Sequence, residues 1–322
     1  MKKLFLSCML SLMVCHIGYS ISSDTKTNGI KGKILSGQDV NLTLPWMAGM
    51  YVSHNNSVCL HADGCFDSFV FSCAAALIHQ QWLVTAAHCV TVSSEVIEPQ
   101  ALNLFLGEYQ LGEVVEFEPV EQIIVHELYA SSEDYKYDIA LIKLVEPVLF
   151  NPIEIISEGK ESLITPSHYL LLAGWGRDLR DGFYYYPDQL QMTNLSYVLP
   201  AACKEIFDPF TQLEDTQMCA GGDGIHDACD GDSGGPLIIN IAGRWKLVGL
   251  VSFGVEICAL EGYPTVFTRL SQYKTWITGK GVPANNIELG HINLVWVLMI
   301  SIMSLILKRW AQIKQALVYQ KK

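Results

Sequence analysis

Along residues 34–280, short runs of β-branched, aromatic and aliphatic residues alternate with turn residues. Residues 81–85 (QWLVT), 122–125 (QIIV), 139–144 (IALIKL), 169–173 (YLLLA) and 247–253 (LVGLVSF) are such runs. Their length is that of strands rather than helices, and the breaks between them carry turn signals. Many short strands without a repeat or a low-complexity tract predict an all-β sandwich or a pair of barrels. A helix fits only near residues 270–278.

Longer apolar stretches at the two ends break this rhythm. Residues 1–20 (MKKLFLSCMLSLMVCHIGYS) place Lys2 and Lys3 before a short apolar run, with small Gly18 and Ser20 after it. That is the pattern of a secretory signal peptide; a buried helix is the plainer alternative. Residues 292–307 (INLVWVLMISIMSLIL) are followed at once by Lys308 and Arg309, with Lys314, Lys321 and Lys322 beyond. The run is short against the ~20 residues of a comfortable membrane span. Its basic flank lies on the C-terminal side alone, which predicts a cytoplasmic tail at 308–322 and residues 21–289 outside. A removable sorting tail and a buried helix are the other readings. A lipid-anchor signal fits less well, because the chain continues past its apolar run. Residues 281–291 (GVPANNIELGH) read as a linker.

Charge sharpens this picture. The 322 residues carry a formal net charge of −12. The first 33 residues hold five Lys and one Asp, and residues 290–322 hold five basic groups and no acid. Residues 34–289 therefore carry 11 basic and 32 acidic groups, a net of −21. Such a domain repels nucleic acid and favours basic partners, or is simply kept soluble by its acids. An extracytoplasmic domain predicts disulfides. Without Cys8 and Cys15 of the leader, eight cysteines remain: Cys59, Cys65, Cys73, Cys89, Cys203, Cys219, Cys229 and Cys258. The number is even, and no pair has the spacing of a zinc site. No metal or cofactor is expected.

Three segments carry chemistry. Thr85-Ala86-Ala87-His88-Cys89 puts a histidine just after an apolar strand. Tyr137-Asp138-Ile139-Ala140-Leu141 opens another strand with an acid. Asp230-Gly231-Asp232-Ser233-Gly234-Gly235-Pro236 sets a serine in a glycine-rich turn. A serine hydroxyl needs a histidine to take its proton, and a carboxylate to hold that histidine in one tautomer. The N–H groups of Gly231 and Ser233 are the natural donors to an oxyanion. The order His88, Asp138, Ser233, with gaps of 50 and 95 residues, makes these three a candidate triad.

From residue 34 to about 280 the chain resembles the trypsin-like serine protease family. The triad segments carry the resemblance, together with Ile34-Leu35-Ser36-Gly37, Pro45-Trp46, Ala173-Gly174-Trp175-Gly176 and Ser252-Phe253-Gly254. It implies two six-stranded antiparallel β-barrels with the triad between them and a C-terminal helix. It implies three disulfides, Cys73–Cys89, Cys203–Cys219 and Cys229–Cys258. Cys59 and Cys65 are left to pair locally. Lys33-Ile34 resembles the bond cut on activation, after which the Ile34 ammonium would pair with Asp232; residues 21–33 would then be a propeptide. Asp227 takes the place of the acid at the base of the primary pocket, which implies cleavage after Arg or Lys. Gly254 leaves the pocket mouth open. Thr265 stands where such members usually have glycine and would intrude from the wall. Phe253 replaces a tryptophan of the substrate-binding strand, and Asp230 would disfavour acidic substrates. Ala74 and Ala75 replace glycines. Leu106-Gly107-Glu108 resembles the start of a calcium loop that then runs short, so no calcium site is assigned. Asn41, Asn55 and Asn194 lie in glycosylation sequons.

The reading is a zymogen of a secreted or membrane-anchored endopeptidase, with protein or peptide substrates and either itself or another protease as activator. Two rivals stand beside it. A pseudoprotease used as a binding module would keep the fold without turnover. An α/β hydrolase would use the Gly231-Asp232-Ser233-Gly234-Gly235 turn, but it needs its serine before its histidine in the chain, and His88 precedes Ser233.

Overall fold

The computed structural model describes residues 38–39, 44–53, 69–107, 110–111, 116–129, 135–180 and 183–283. The expected leader, the Lys33-Ile34 bond, Cys59, Cys65 and residues 292–322 lie outside them. No helix among the described residues is long and apolar enough to cross a membrane.

Twelve strands build two sheets. The first six are β1 (Met47–Ser53), β2 (Phe69–His79), β3 (Trp82–Thr85), β4 (Leu102–Leu106), β5 (Val120–Val125) and β6 (Ala140–Leu144). They order as β4-β1-β2-β3-β6-β5. The sheet closes where Leu104 bridges Glu118, with Glu118 N–H donating to Leu104 C=O at 2.7 Å. The second six are β7 (Tyr169–Gly174), β8 (Gln191–Val198), β9 (Gln217–Ala220), β10 (Pro236–Ile241), β11 (Arg244–Phe253) and β12 (Thr265–Arg269). Their order is β8-β7-β10-β11-β12-β9, and β8 pairs with β9 to close the ring. Closure removes the free edges that a flat sheet would expose. Bulges at Met50/Tyr51 and Val251/Phe253 supply the extra twist that a small barrel needs. The β10–β11 turn is Ala242-Gly243, both with positive φ (51° and 79°), as the mirror-image hairpin turn requires.

Two features depart from the pattern read off the sequence. Short strands extend the second barrel: Gln38–Asp39 pairs with β8, and Glu154–Ile155 pairs with β11 in parallel rather than antiparallel fashion. Helices are also not confined to the C-terminus. Besides α3 (Lys274–Gly279) there are α1 (Glu158–Glu161) and α2 (Pro200–Phe207). These two are short and sit in connections, where eight residues or fewer leave little periodicity to read. Pro200 opens α2, where its missing N–H costs nothing.

Alternate residues of the strands point inward. Leu170, Leu172, Leu237, Ile239, Val248 and Phe267 fill the second barrel. A larger cluster fills the first barrel and runs on into the interface between the two. There Phe105 of the first barrel meets Trp175, which follows β7, edge to face at 5.4 Å, and both are fully buried. Burial of such aromatic surface is the main force that presses the barrels together. Val282 is buried in the same cluster, so the packed domain extends past residue 280.

Candidate active site

The barrels meet along a cleft of about 470 Å³ lined by His88, Ser233, Tyr135, Phe253, Asp227 and Thr265, among others. His88 sits on a 3-10 turn (Ala87–Val90) directly after β3, and Cys89 beside it is bonded to Cys73 of β2. Asp138 stands just before β6. Its side chain is buried, and its Oδ2 lies 2.8 Å from His88 Nδ1 while Oδ1 accepts from the His88 N–H at 2.9 Å. The second barrel adds two more donors. Ser252 Oγ donates to Asp138 Oδ2 at 2.6 Å, and Thr268 Oγ1 donates to the Asp138 carbonyl at 2.6 Å. Tyr135 and Tyr137 flank this segment with φ of 44° and 58°, a strained backbone held by its packing. Burial alone pulls the His88 pKa down. The charge and hydrogen bond of Asp138 push it up further, so the net value lies above the usual one.

Ser233 belongs to the second barrel but is hung on the first, since its carbonyl accepts from Ala74 N–H at 2.8 Å. Its neighbour Gly234 (φ 71°) has no room for a side chain. A Cβ there would lie 2.2 Å from Thr85 Oγ1 and 2.6 Å from Ala74 O. The motif glycine is thus required by a close approach of backbones. Ala74 and Ala75 are both fully buried at this junction. No hydrogen bond joins Ser233 to His88 among the described residues; catalytic hydrogen bonds commonly close only when substrate binds.

The nucleophile turn also presents amides. Asp232 N–H bonds Cys229 C=O, Gly234 N–H bonds Val251 C=O, and Gly235 N–H bonds Asp232 C=O. Among the described residues, the N–H groups of Gly231 and Ser233 have no such partner. Amides without partners beside a serine are the type of donor that a developing oxyanion needs. Asp232 points the other way, into the protein. It is fully buried, and its carboxylate accepts only from Gly176 N–H (2.8 Å) and Cys229 N–H (3.0 Å) among the described residues. Burial pushes its pKa up to about 7, against the pull of those two amides.

The pocket beside Ser233 holds the other expected residues. Asp227 is buried at its base, and a Cβ on Gly254 would meet only Thr265 Oγ1, at 3.8 Å. Thr265 lines the wall as expected. The sequence did not reveal that its hydroxyl donates to Asp227 Oδ1, while Ala259 N–H donates to Oδ2 at 2.7 Å. Burial raises the Asp227 pKa, and these donors oppose the rise. Phe253 stacks on Tyr135 at 5.2 Å, and Tyr135 meets His88 edge-on at 5.8 Å. Asp230 lines the cleft, and its carboxylate is paired with Arg177.

Disulfides join Cys73 to Cys89, Cys203 to Cys219 and Cys229 to Cys258. Cys73, His88 and Cys89 place three metal-capable atoms within 4.8 Å of one another. The two sulfurs are bonded to each other, so they are not thiolates and cannot act as the usual ligands. Asn194 is exposed on β8.

Comparison with known proteins agrees with this geometry. A family model described as Trypsin matches residues 34–277. Chymotrypsin-like elastase family member 1 of Macaca fascicularis is 32% identical over 65% of this chain and 79% of its own. Chymotrypsin-C of Rattus norvegicus is 36% identical over 66% of this chain and 80% of its own. Transmembrane protease serine 11G of the same species is 34% identical over 65% of this chain, and the match spans about half (49%) of that protein.

Proposed function

Because the chain belongs to the trypsin family and is a serine-type endopeptidase, we propose that it cleaves peptide bonds with His88, Asp138 and Ser233. In this mechanism Ser233 Oγ attacks the scissile carbonyl carbon while His88 Nε2 takes its proton. Asp138 holds the imidazole through Nδ1 and stabilises the imidazolium. The oxyanion is met by the N–H groups of Gly231 and Ser233. The tetrahedral intermediate collapses to an acyl-serine as His88 protonates the leaving amine. Water then repeats the steps to release the acid and restore Ser233. The observation that carries the reading is the His88–Asp138 hydrogen bond, with His88 lining the same cleft as Ser233.

The pocket is read as taking Arg or Lys. An ionised carboxylate offers about four acceptor sites. Thr265 and Ala259 occupy one on each oxygen, and the Ala228 amide contributes a further contact. What remains suits a single ammonium contact better than the two-pronged guanidinium fork. Lys is therefore expected at least on a par with Arg. Activation is read as cleavage at Lys33-Ile34, with the new Ile34 ammonium neutralising Asp232 and setting the turn that holds Gly231. The leader, the propeptide (21–33), the linker (281–291) and an apolar anchor or sorting segment (292–307) complete the scheme. It places the enzyme in the secretory pathway, either membrane-anchored or released, acting on protein substrates rich in basic residues.

The test uses the full chain cleaved after Lys33 and peptide amides ending in Arg, Lys, Ala or Leu. Turnover should favour Lys and Arg, vanish in Ser233→Ala with the fold retained, and lose its basic preference in Asp227→Ser. Activity surviving in Ser233→Ala removes the triad. The tie between Thr265 and Asp227 favours a second reading, a binding module with a blocked pocket. A serine-reactive phosphonate that fails to label Ser233 in the cleaved chain would support it.

A further inference from the structure

The first oxyanion donor is the N–H of the Asp230–Gly231 peptide. In a planar trans peptide the N–H and C=O point in opposite directions, so fixing one fixes the other. The Asp230 carbonyl accepts from the Arg177 N–H at 2.7 Å. The same two residues are joined again through their side chains, Arg177 Nη2 to Asp230 Oδ2. On the far side of Gly231, Asp232 Oδ1 accepts from Gly176 N–H. Residues 176–177 therefore grip both neighbours of Gly231. Gly231 itself (φ 98°) has no side chain to resist a flip of the peptide, so its orientation is set from outside.

We propose that the Arg177–Asp230 ion pair is a positioning device. It holds the segment after β7 and the nucleophile turn at the separation that keeps the Asp230 carbonyl bonded to Arg177, with Gly231 N–H facing the cleft. The inference rests on the peptidase reading above. Both side chains line the cleft, and neither is needed at the reacting atoms. The pair is partly exposed (30% for Arg177, 64% for Asp230), so its strength depends on ionic strength. No motif marks it: Arg177 is simply the residue after Gly174-Trp175-Gly176, and Asp230 the one before Gly231.

The experiment uses the full chain cleaved after Lys33, carrying Arg177→Asp, Asp230→Arg or both. Each single reversal replaces attraction with repulsion. Each should lower kcat on a peptide amide about tenfold (about 1.4 kcal/mol) with little change in KM. Binding of a peptide boronic acid, whose tetrahedral adduct fills the oxyanion cradle, should weaken by a similar factor. The double reversal should recover most of both losses, and the gap between parent and single variants should narrow as salt is added. Single variants that match the parent, or a double variant that falls by the product of the singles, would overturn the pair's role while leaving the peptidase reading in place. A parent chain that neither turns over peptide nor labels at Ser233 would overturn both.

Discussion

Asp138 and Asp232 are both buried acids at the active site, and their surroundings differ. The Asp138 carboxylate takes three donors, the ring and backbone of His88 and the Ser252 hydroxyl, and Thr268 holds its carbonyl. The Asp232 carboxylate accepts from two backbone amides among the described residues, and burial raises its pKa to about 7. A buried charge without a charged partner is costly. The first acid is a finished part, fixed once the barrels dock. The second is buried with no charged partner among the described residues, so an added positive charge beside it would favour its ionised form. The proposed mechanism thus gives one aspartate the work of orientation and the other that of control.

The sharpest way to break the contrast is Asp138→Asn. An amide there would hold His88 in the wrong tautomer, and kcat on a peptide amide should fall by about 10⁴-fold. A loss under a hundredfold would mean that Asp138 is not the orienting acid. Next comes Asp232→Asn, which removes the charge that Ile34 is proposed to meet. In the cleaved chain kcat/KM should drop by about 10²–10³-fold, the cost of one oxyanion donor. The same variant has a signature in the uncleaved chain. The folded pKa of Asp232, about 7, lies above its ordinary 3.8. The folded state therefore holds the proton more tightly, and its stability falls as pH rises toward and through 7. His88, also raised, loses stability in the same direction as pH climbs past its ordinary 6.5. The difference between parent and Asp232→Asn cancels the His88 share. Tm followed from pH 5 to pH 8 in a Ser233→Ala background should fall more in the parent, and parallel curves would refute the switch. The smallest effect is expected for Ser252→Ala, which strips one donor from Asp138. It should lower Tm by several degrees, from about 1–3 kcal/mol at ~2–4 °C per kcal/mol. An unchanged Tm would show that the hydroxyl carries no weight there.

The parts of this site that were legible in the sequence are those encoded by neighbours along the chain. His88 follows its strand directly, and the glycines around Ser233 declare a turn. Ser252, Thr268 and Arg177 were not legible as partners of the site. Ser252 reaches Asp138 across 114 residues and Thr268 across 130, distances that only the register of the second barrel brings to zero. The bond between Thr265 and Asp227 is of the same kind: a β-branched wall residue was readable, but the direction of its hydroxyl was not. Strands β3, β5, β6, β7 and β11 were readable because each is an apolar run between turns. The parallel pairing of Glu154–Ile155 was not, because two residues carry no pattern.

Ser233 of the second barrel is tied to Ala74 of the first, while Asp138 of the first is tied to Ser252 and Thr268 of the second. The attachments are crossed: the first barrel carries the His88–Asp138 pair, but Asp138 is held from the second barrel and Ser233 is held from the first. Loss of turnover in rising denaturant should therefore follow the separation of the barrels in a single cooperative step.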